Sequence, residues 1–327
     1  MSRLSILIAM THEPKRLEQT LVSVLENRPT DCEVIVVHDG SYRDPYELDG
    51  EVCFVAAPAN ATELEMLRLG LHAAHAPIVH LLECGAEVGP DWTDEAVQLF
   101  DDPQTASVVP VAIDADHPDQ LVSLGIEYLD GGTRRLRGSR QRWPDDSWAA
   151  HAPVGPSLSA AFYRRETLVL VGGLDTTVGA GWADVDIALG LRAAGYHALL
   201  ATRSIVRLPA TARCREDGIA QGKCAERVFW RHAGTVGWLR SLWAHPFAWA
   251  AEFLAELTGG RPMGTTLGRV LGLSTVTSDF RYRQWLRRQF DPTRKERTSP
   301  ETGQLRIDDA HDRAARVGEP MARRRVA

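Results

Sequence analysis

Three short polar segments follow apolar runs in the first third of the chain. They are Thr11-His12-Glu13 after Leu4 to Met10, His38-Asp39-Gly40-Ser41 after Glu33 to Val37, and Glu83-Cys84-Gly85 after Ile78 to Leu82. Short apolar runs closed by polar breaks read as buried parallel strands. If these strands lie side by side, their carboxyl ends gather at one edge, which is where open α/β sheets bind ligands. Further on, Trp182-Ala183-Asp184-Val185-Asp186 opens a predicted helix with two carboxylates near its positive end. Between these groups lies a basic cluster, Arg134, Arg135, Arg137, Arg140 and Arg142. It reads first as a solvated loop and second as a contact for phosphate or another acidic ligand.

The elements that must position these residues are legible as periodicities. Leu17, Leu21, Val24 and Leu25 share a helical face after Pro14, and Leu64, Leu67, Leu71 and Ala74 share another. Val52 to Ala56 and Ala106 to Ala112 add strands, and a helix is expected around Trp92 to Phe100. The first third therefore alternates β and α units over a mostly parallel sheet. Residues 113–156 are less regular, with a strand expected over Leu121 to Leu129 and a Gly-Gly turn at 131 and 132. A helix over Arg164 to Val171 stops at Gly172-Gly173, and Ala198 to Ala201 and Ile205 to Leu208 supply the last strands. After about residue 212, Trp230, Trp238, Trp243 and Trp249 crowd a helix-rich segment that ends near Phe290. Such density predicts a helical subdomain packed on the main body. The second reading is a membrane-surface or partner face, because Arg231, Arg240 and Arg261 flank the tryptophans. Residues 291–327 are polar, charged and poor in large apolar side chains, which predicts a disordered tail.

Composition narrows the class. With 327 residues and 44% hydrophobic content, the chain can bury a sizeable core. A net charge of −6, with no nucleic-acid motif, argues against a nucleic-acid binder. Cys32, Cys53, Cys84, Cys214 and Cys224 are odd in number with no CxxC pair, so a reducing, cytoplasmic compartment is expected. Cys84 reads as a small buried hydrophobe, not a nucleophile. No secretory signal is evident, and the apolar stretch Leu242 to Leu257 is interrupted by His245, Pro246, Glu252 and Glu256, so no transmembrane segment is expected.

The order of the motifs LSILIAMTHEP, EVIVVHDGS, LGLHAAHAPIVHLLECGAEVGPDW and AFYRRETLVLVGGLDTTVGAGWADVDIALGLRAAGYHALL resembles family 2 glycosyltransferases of the GT-A fold, over roughly residues 3–208. The resemblance implies an α/β, Rossmann-like, mostly parallel mixed sheet flanked by helices, here with a C-terminal helical extension. It divides the chain into a GT-A-like domain at 1–212 (a nucleotide-binding half, 1–112, and an acceptor half, 113–212), the extension at 213–290 and the tail. It implies a nucleotide-sugar donor, a glycan or other hydroxyl acceptor, inversion at the anomeric carbon, and a divalent metal, Mn or Mg, on the donor's diphosphate. The acceptor hydroxyl needs a carboxylate as general base, and the leaving diphosphate needs positive charge.

Carried over position by position, the resemblance puts the base at Asp184, with Ala183 where an acidic neighbour is usual. Trp182 and Asp186 fall on the acceptor side. Asp39 matches the second acid of the nucleotide-recognising turn, where His38 replaces the first. His12, Arg68 and Glu83 complete the donor side, Arg68 standing where an Asn is usual. The metal-binding Asp-x-Asp reads Glu83-Cys84-Gly85, leaving Glu83 as its single candidate ligand, and Leu208 stands near where relatives carry a metal-binding His. Two readings follow: a donor site rebuilt for metal-independent transfer, with Arg68, His12, His38 or the arginine loop on the diphosphate, or a catalytically silent protein that binds a sugar nucleotide, a glycan or a protein partner.

Overall fold

The structure is a computed structural model that describes residues 2–10, 13–143, 153–209, 218–233, 238–259 and 263–290. His12 and the tail from 291 to 327 lie outside the described residues.

Four apolar runs form the parallel half of one sheet: β1 (Leu4–Met10), β2 (Cys32–His38), β3 (Val52–Ala56) and β4 (Ile78–Glu83). They are followed by β5 (Glu87–Val88), β6 (Thr105–Asp114), β7 (Leu121–Ser123), the hairpin β8 (Ile126–Leu129) and β9 (Thr133–Leu136), then β10 (Ala160–Arg164) and β11 (His197–Leu208). The main sheet runs β3-β2-β1-β4-β10-β6-β11-β5, with β7 on β6. β10 is antiparallel to both β4 and β6, whereas β6 and β11 are parallel.

Every residue of β1 is buried, so the strand feeds two cores by alternation. Leu4, Ile6, Ile8 and Met10 pack on one face with Leu17, Leu21 and Val24 of α1 (Pro14–Glu26). Leu7 and Ala9 pack on the other with Leu64, Leu67 and Leu71 of α2 (Glu63–Ala73). Thr62 and Glu65 close a reciprocal capping box at the start of α2. The chain continues through α3 (Asp94–Gln98), α4 (Arg165–Leu170) and α5 (Ala180–Ala193) to the extension, α6 (Gly218–His232), α7 (Trp238–Thr258), α8 (Gly264–Gly272) and α9 (Val276–Gln289).

Several expectations are refined. The run Leu121 to Leu129 is two strands, because Gly125 turns the chain at φ 91°, where an added Cβ would lie 2.6 Å from the Gly155 carbonyl. The expected pair of strands at 198–208 is one strand, β11, with a register shift between Ala201 and Ile205. The helix near Trp92 is α3 followed by a single 3-10 turn, Leu99–Asp101. The helix expected from Trp182 begins at Ala180 and has no acidic residue in its first turn.

The extension is held by backbone contact as well as by tryptophan. A Cβ on Gly222 would lie 2.0 Å from the Thr265 carbonyl, and one on Gly268 would lie 2.2 Å from the Ile219 carbonyl, so α6 and α8 cross with their main chains touching. The Gly-Gly turn of the β8–β9 hairpin is inserted against α7, where a Cβ on Gly131 would stand 2.7 Å from the Ala248 Cβ. His245 Nδ1 is 2.8 Å from the Gly131 carbonyl, and its ring stacks on Phe229 at 3.6 Å. Among the described residues no helix is long and apolar enough to cross a membrane.

Candidate functional site

Strand register assembles the carboxyl edge. Met10 pairs with His38, His38 with Ala56, and Ala9 with Glu83, so the ends of β1, β2, β3 and β4 lie level. Asp39 caps its own turn: Oδ1 accepts from the Ser41 N–H at 3.0 Å and the Ser41 hydroxyl at 2.5 Å. His38 Nδ1 accepts from the Gly40 N–H at 3.2 Å, and its ring meets Tyr42 and Phe54 edge-on. Arg68 is half-buried on α2, within electrostatic reach of Glu65.

Glu83 ends β4, where its N–H donates to the Ser159 carbonyl at 2.9 Å. Burial pushes its carboxyl up to about 8, against the lowering effect of a hydrogen bond with Ser159, and Oε2 is buried with no partner. A cavity of about 60 Å³ borders this turn, lined by Asp114, Ser123, Ser157, Ser159, Leu208 and Pro209 among others. It has room for about two waters.

On the second half of the sheet, Asp184 is 1% exposed and sits in the second turn of α5. Arg134 of β9 holds it in a fork: Nε lies 3.0 Å from Oδ1 and 3.2 Å from Oδ2, and Nη2 lies 2.5 Å from Oδ2. The Val185 N–H adds a bond to Oδ1 at 2.8 Å. The charged partner of this carboxylate is thus a side chain from the hairpin, in addition to the helix end near which its place in the sequence sets it. Asp186 faces the extension, its two oxygens 2.8 Å from His232 Nε2 and 3.2 Å from Arg231 Nη1. Burial would raise the Asp186 carboxyl, but Arg231 and His232 outweigh it and hold the group below the ordinary carboxylate range. Trp182 is buried in the core shared by α2, α4 and α5.

The structure thus gathers Asp39 and Glu83 on one edge, sets Asp184 on the hairpin's arginine and turns Asp186 into the α5–α6 interface. Divalent cations need several oxygen ligands, and the Glu83 turn does not supply them. Gly85 has no side chain, Leu208 is apolar and buried, and Glu83 is left as the single carboxyl of the turn. No group of three His, Cys, Asp or Glu residues among the described ones could hold an ion. The described residues of this turn do not fit the metal that the family resemblance implies.

Two contributors were not singled out by the sequence. Arg134 was one of five clustered arginines, and its pairing across fifty positions with Asp184 leaves no local signal. Arg16 had one: Arg16, Thr20, Ser23 and Asn27 make a polar stripe at helical spacing along α1. The stripe binds the segment after Glu83. Thr20 Oγ1 accepts from the Gly85 N–H at 2.8 Å, Ser23 Oγ accepts from the Val88 N–H at 3.3 Å, and Asn27 Nδ2 donates to the Val88 carbonyl at 3.4 Å.

Residues 5–151 match the sequence model of Glycosyl transferase family 2. No curated protein matches the chain. Among solved structures, GalNAc-T7 with UDP, GalNAc and Mn2+ is similar with a TM-score of 0.54 and 15% identity, over 70% of this chain and 47% of that one. The chain therefore spans about half the length of that protein. Mannosyltransferase PcManGT from Pyrobaculum calidifontis, in complex with GDP-Man and Mn2+, aligns with a TM-score of 0.49 and 18% identity, over 88% of this chain and 84% of that one. Residues 5–151 thus match glycosyl transferase family 2, and they are carried on a mixed and mostly parallel sheet of the GT-A kind.

Proposed function

We propose that the protein transfers a sugar, with inversion, from a nucleotide-sugar donor to an acceptor hydroxyl of a glycan or glycoconjugate. The observation that carries this reading is the level carboxyl edge of β1, β2 and β4 inside a family 2 domain, with Asp39 on the nucleotide side. Asp184 serves as the base: its oxygen takes the acceptor's proton, the acceptor oxygen bonds to the anomeric carbon, and the bonding pair leaves with the diphosphate. Arg134 and the Val185 N–H occupy the oxygens of Asp184, so an acceptor hydroxyl reaches them when an Arg134 nitrogen gives way. Acceptor contacts fall to Trp182 and Asp186 only indirectly, since both are buried. Transfer proceeds without a divalent metal. The proposed setting is cytoplasmic and peripheral to a membrane, supported by the exposed apolar face of α7, which carries Leu239, Trp243, Phe247, Leu254 and Leu257.

The same closed Arg134–Asp184 fork favours a second reading, a silent relative that binds a sugar nucleotide, a glycan or a protein partner. A transfer assay over a panel of UDP- and GDP-sugars with varied acceptors decides between them. Turnover by the parent that falls on Asp184→Asn supports the enzyme. Nucleotide-sugar binding with no transfer anywhere in the panel supports the silent protein.

A further inference from the structure

The 84–85 turn is where the family resemblance would place the second metal-binding carboxylate, and α1 has taken over that space. A Cβ built on Gly85 would meet the Arg16 Cδ at 3.2 Å, the Pro209 Cγ at 3.2 Å and the Arg16 Cβ at 3.6 Å. Gly85 also has φ 95°, so a side chain there is disfavoured by the backbone as well. The stem of Arg16 is not loosely placed. It belongs to the stripe whose next members, Thr20, Ser23 and Asn27, clasp residues 85–88.

We propose that the Arg16 guanidinium stands in for the metal, binding the donor's diphosphate at the carboxyl edge. This rests on the nucleotide-sugar reading above. Arg16 lies in the first turn of a 13-residue helix that has no acidic residue in that turn and no side-chain cap, so the positive helix end adds to its charge. A guanidinium offers a fork of N–H donors matched to phosphate oxygens and keeps its charge at any working pH. It is the cation whose influence reaches both Glu83 and Cys84. Arg16 pairs with Glu13. A diphosphate replaces that carboxylate, with its two adjacent charges offsetting the lost partner. Glu13 and Glu63 bring negative charge to the same edge, which makes one fixed cation the more necessary there.

The test is calorimetric titration of the full chain with UDP, GDP, UMP and GMP, in EDTA and in Mn2+. The parent is expected to bind one of the diphosphates in EDTA within about threefold of its affinity in Mn2+. Arg16→Gln should weaken that diphosphate at least tenfold, about 1.4 kcal/mol, while leaving the matching monophosphate within about threefold, and Arg16→Lys should fall between. Glu13→Gln, which removes a carboxylate that competes with the diphosphate for the guanidinium, should tighten diphosphate binding and serves if Arg16→Gln does not fold. Diphosphate affinity unchanged in Arg16→Gln, equal losses for mono- and diphosphate, a parent that needs Mn2+, or no gain in Glu13→Gln overturns the proposal. A parent that binds no nucleotide with or without Mn2+ overturns the glycosyltransferase reading, and this proposal with it.

Discussion

The carboxyl edge and the contact between the main body and the extension use charge in opposite ways. At the extension, buried ions are saturated. Glu226 is 0% exposed and is met by Trp230 Nε1 at 2.7 Å, His245 Nε2 at 3.1 Å, Trp249 Nε1 at 3.2 Å and Arg269 Nη1 at 3.3 Å. Arg269 in turn forks onto Glu252 at 2.6 and 2.7 Å and donates to the Gly132 carbonyl at 3.1 Å. Arg231 gathers Asp175, Asp186, Thr177 and Asp279 and lies over the Tyr282 ring at 4.5 Å. At the edge, Asp39 accepts from Ser41 of its own turn, Glu83 Oε2 is buried with no hydrogen-bond partner and Arg16 is a third exposed on its side chain. Saturated buried networks fix a geometry, because removing one member strands the others. Unsaturated groups at a sheet edge are what a ligand completes.

The largest effect should come from breaking the saturated side. Arg269→Ala leaves Glu226 and Glu252 without their cation and frees the Gly131–Gly132 turn, so it should cost about 3–5 kcal/mol in urea unfolding. Arg16→Gln, a change of the same charge at the edge, should cost under about 1 kcal/mol. Equal losses would erase the distinction between the two regions.

Next comes the pair on α5, which stands astride both. Asp184→Asn should preserve the fold and nucleotide affinity while lowering turnover about 10² or more in a transfer assay, the scale of general-base catalysis. Asp186→Asn should do the reverse, lowering stability while leaving chemistry to Asp184. The carboxyl of Asp186 lies below its ordinary range in the folded protein. Its contribution is therefore present above the unfolded value near pH 4 and lost as pH falls through the folded one. Acid unfolding of Asp186→Asn should accordingly be shallower than that of the parent. Near-normal transfer by Asp184→Asn would end the mechanism proposed for it.

Much of the sheet was legible because its strands are bounded by chemistry local to them: Leu4–Met10 and Val52–Ala56 begin and end where apolar runs meet polar breaks. β10 was not, since Ala160–Arg164 is five residues long and passes straight into α4 without a turn signal. Its antiparallel place between β4 and β6 is a tertiary fact. Asp39 and Glu83 were placed on one edge by strand order alone. The Arg134–Asp184 and Asp186–Arg231 pairs were invisible, because identical motifs can face a substrate or a neighbouring helix, and only the packing of the hairpin and α6 decides. The stripe on α1 was readable and carries Arg16.

A smaller and pH-dependent effect separates the edge from an ordinary buried interior. The Glu83 carboxyl is raised to about 8 by burial, against a hydrogen bond with Ser159. The folded protein then holds a proton that the unfolded chain releases near pH 4.3, so stability from this group is greatest in acid. It declines by at most about 1.4 kcal/mol per pH unit as pH rises toward 8, and levels off above it. Glu83→Gln resembles the protonated form. The melting temperatures of the two proteins should coincide near pH 5 and diverge in favour of Glu83→Gln by pH 9. Parallel curves would mean that Glu83 is solvated and ionised at neutral pH, and would return it to the set of metal-ligand candidates.

The smallest expected effect on folding lies on α7, whose two faces repeat the contrast in one helix. Inward, His245, Trp249, Glu252 and Glu256 join hydrogen-bonded networks, with Glu256 receiving the Thr265 and Thr266 N–H groups at 2.8 and 3.2 Å. Outward, Trp243 and Phe247 are 75% and 70% exposed, one turn apart, with Leu239 a turn before them and Leu254 and Leu257 farther along. Replacing Trp243 and Phe247 by Ser removes no buried contact, so unfolding free energy should change by less than about 0.5 kcal/mol for each. If this face rests on a membrane surface, the double variant should lose co-sedimentation with anionic vesicles while keeping its fold and its nucleotide affinity. A parent that ignores vesicles would leave α7 as a structural clamp on the hairpin. A double variant that unfolds would show that the exposed aromatics belong to the extension's own packing.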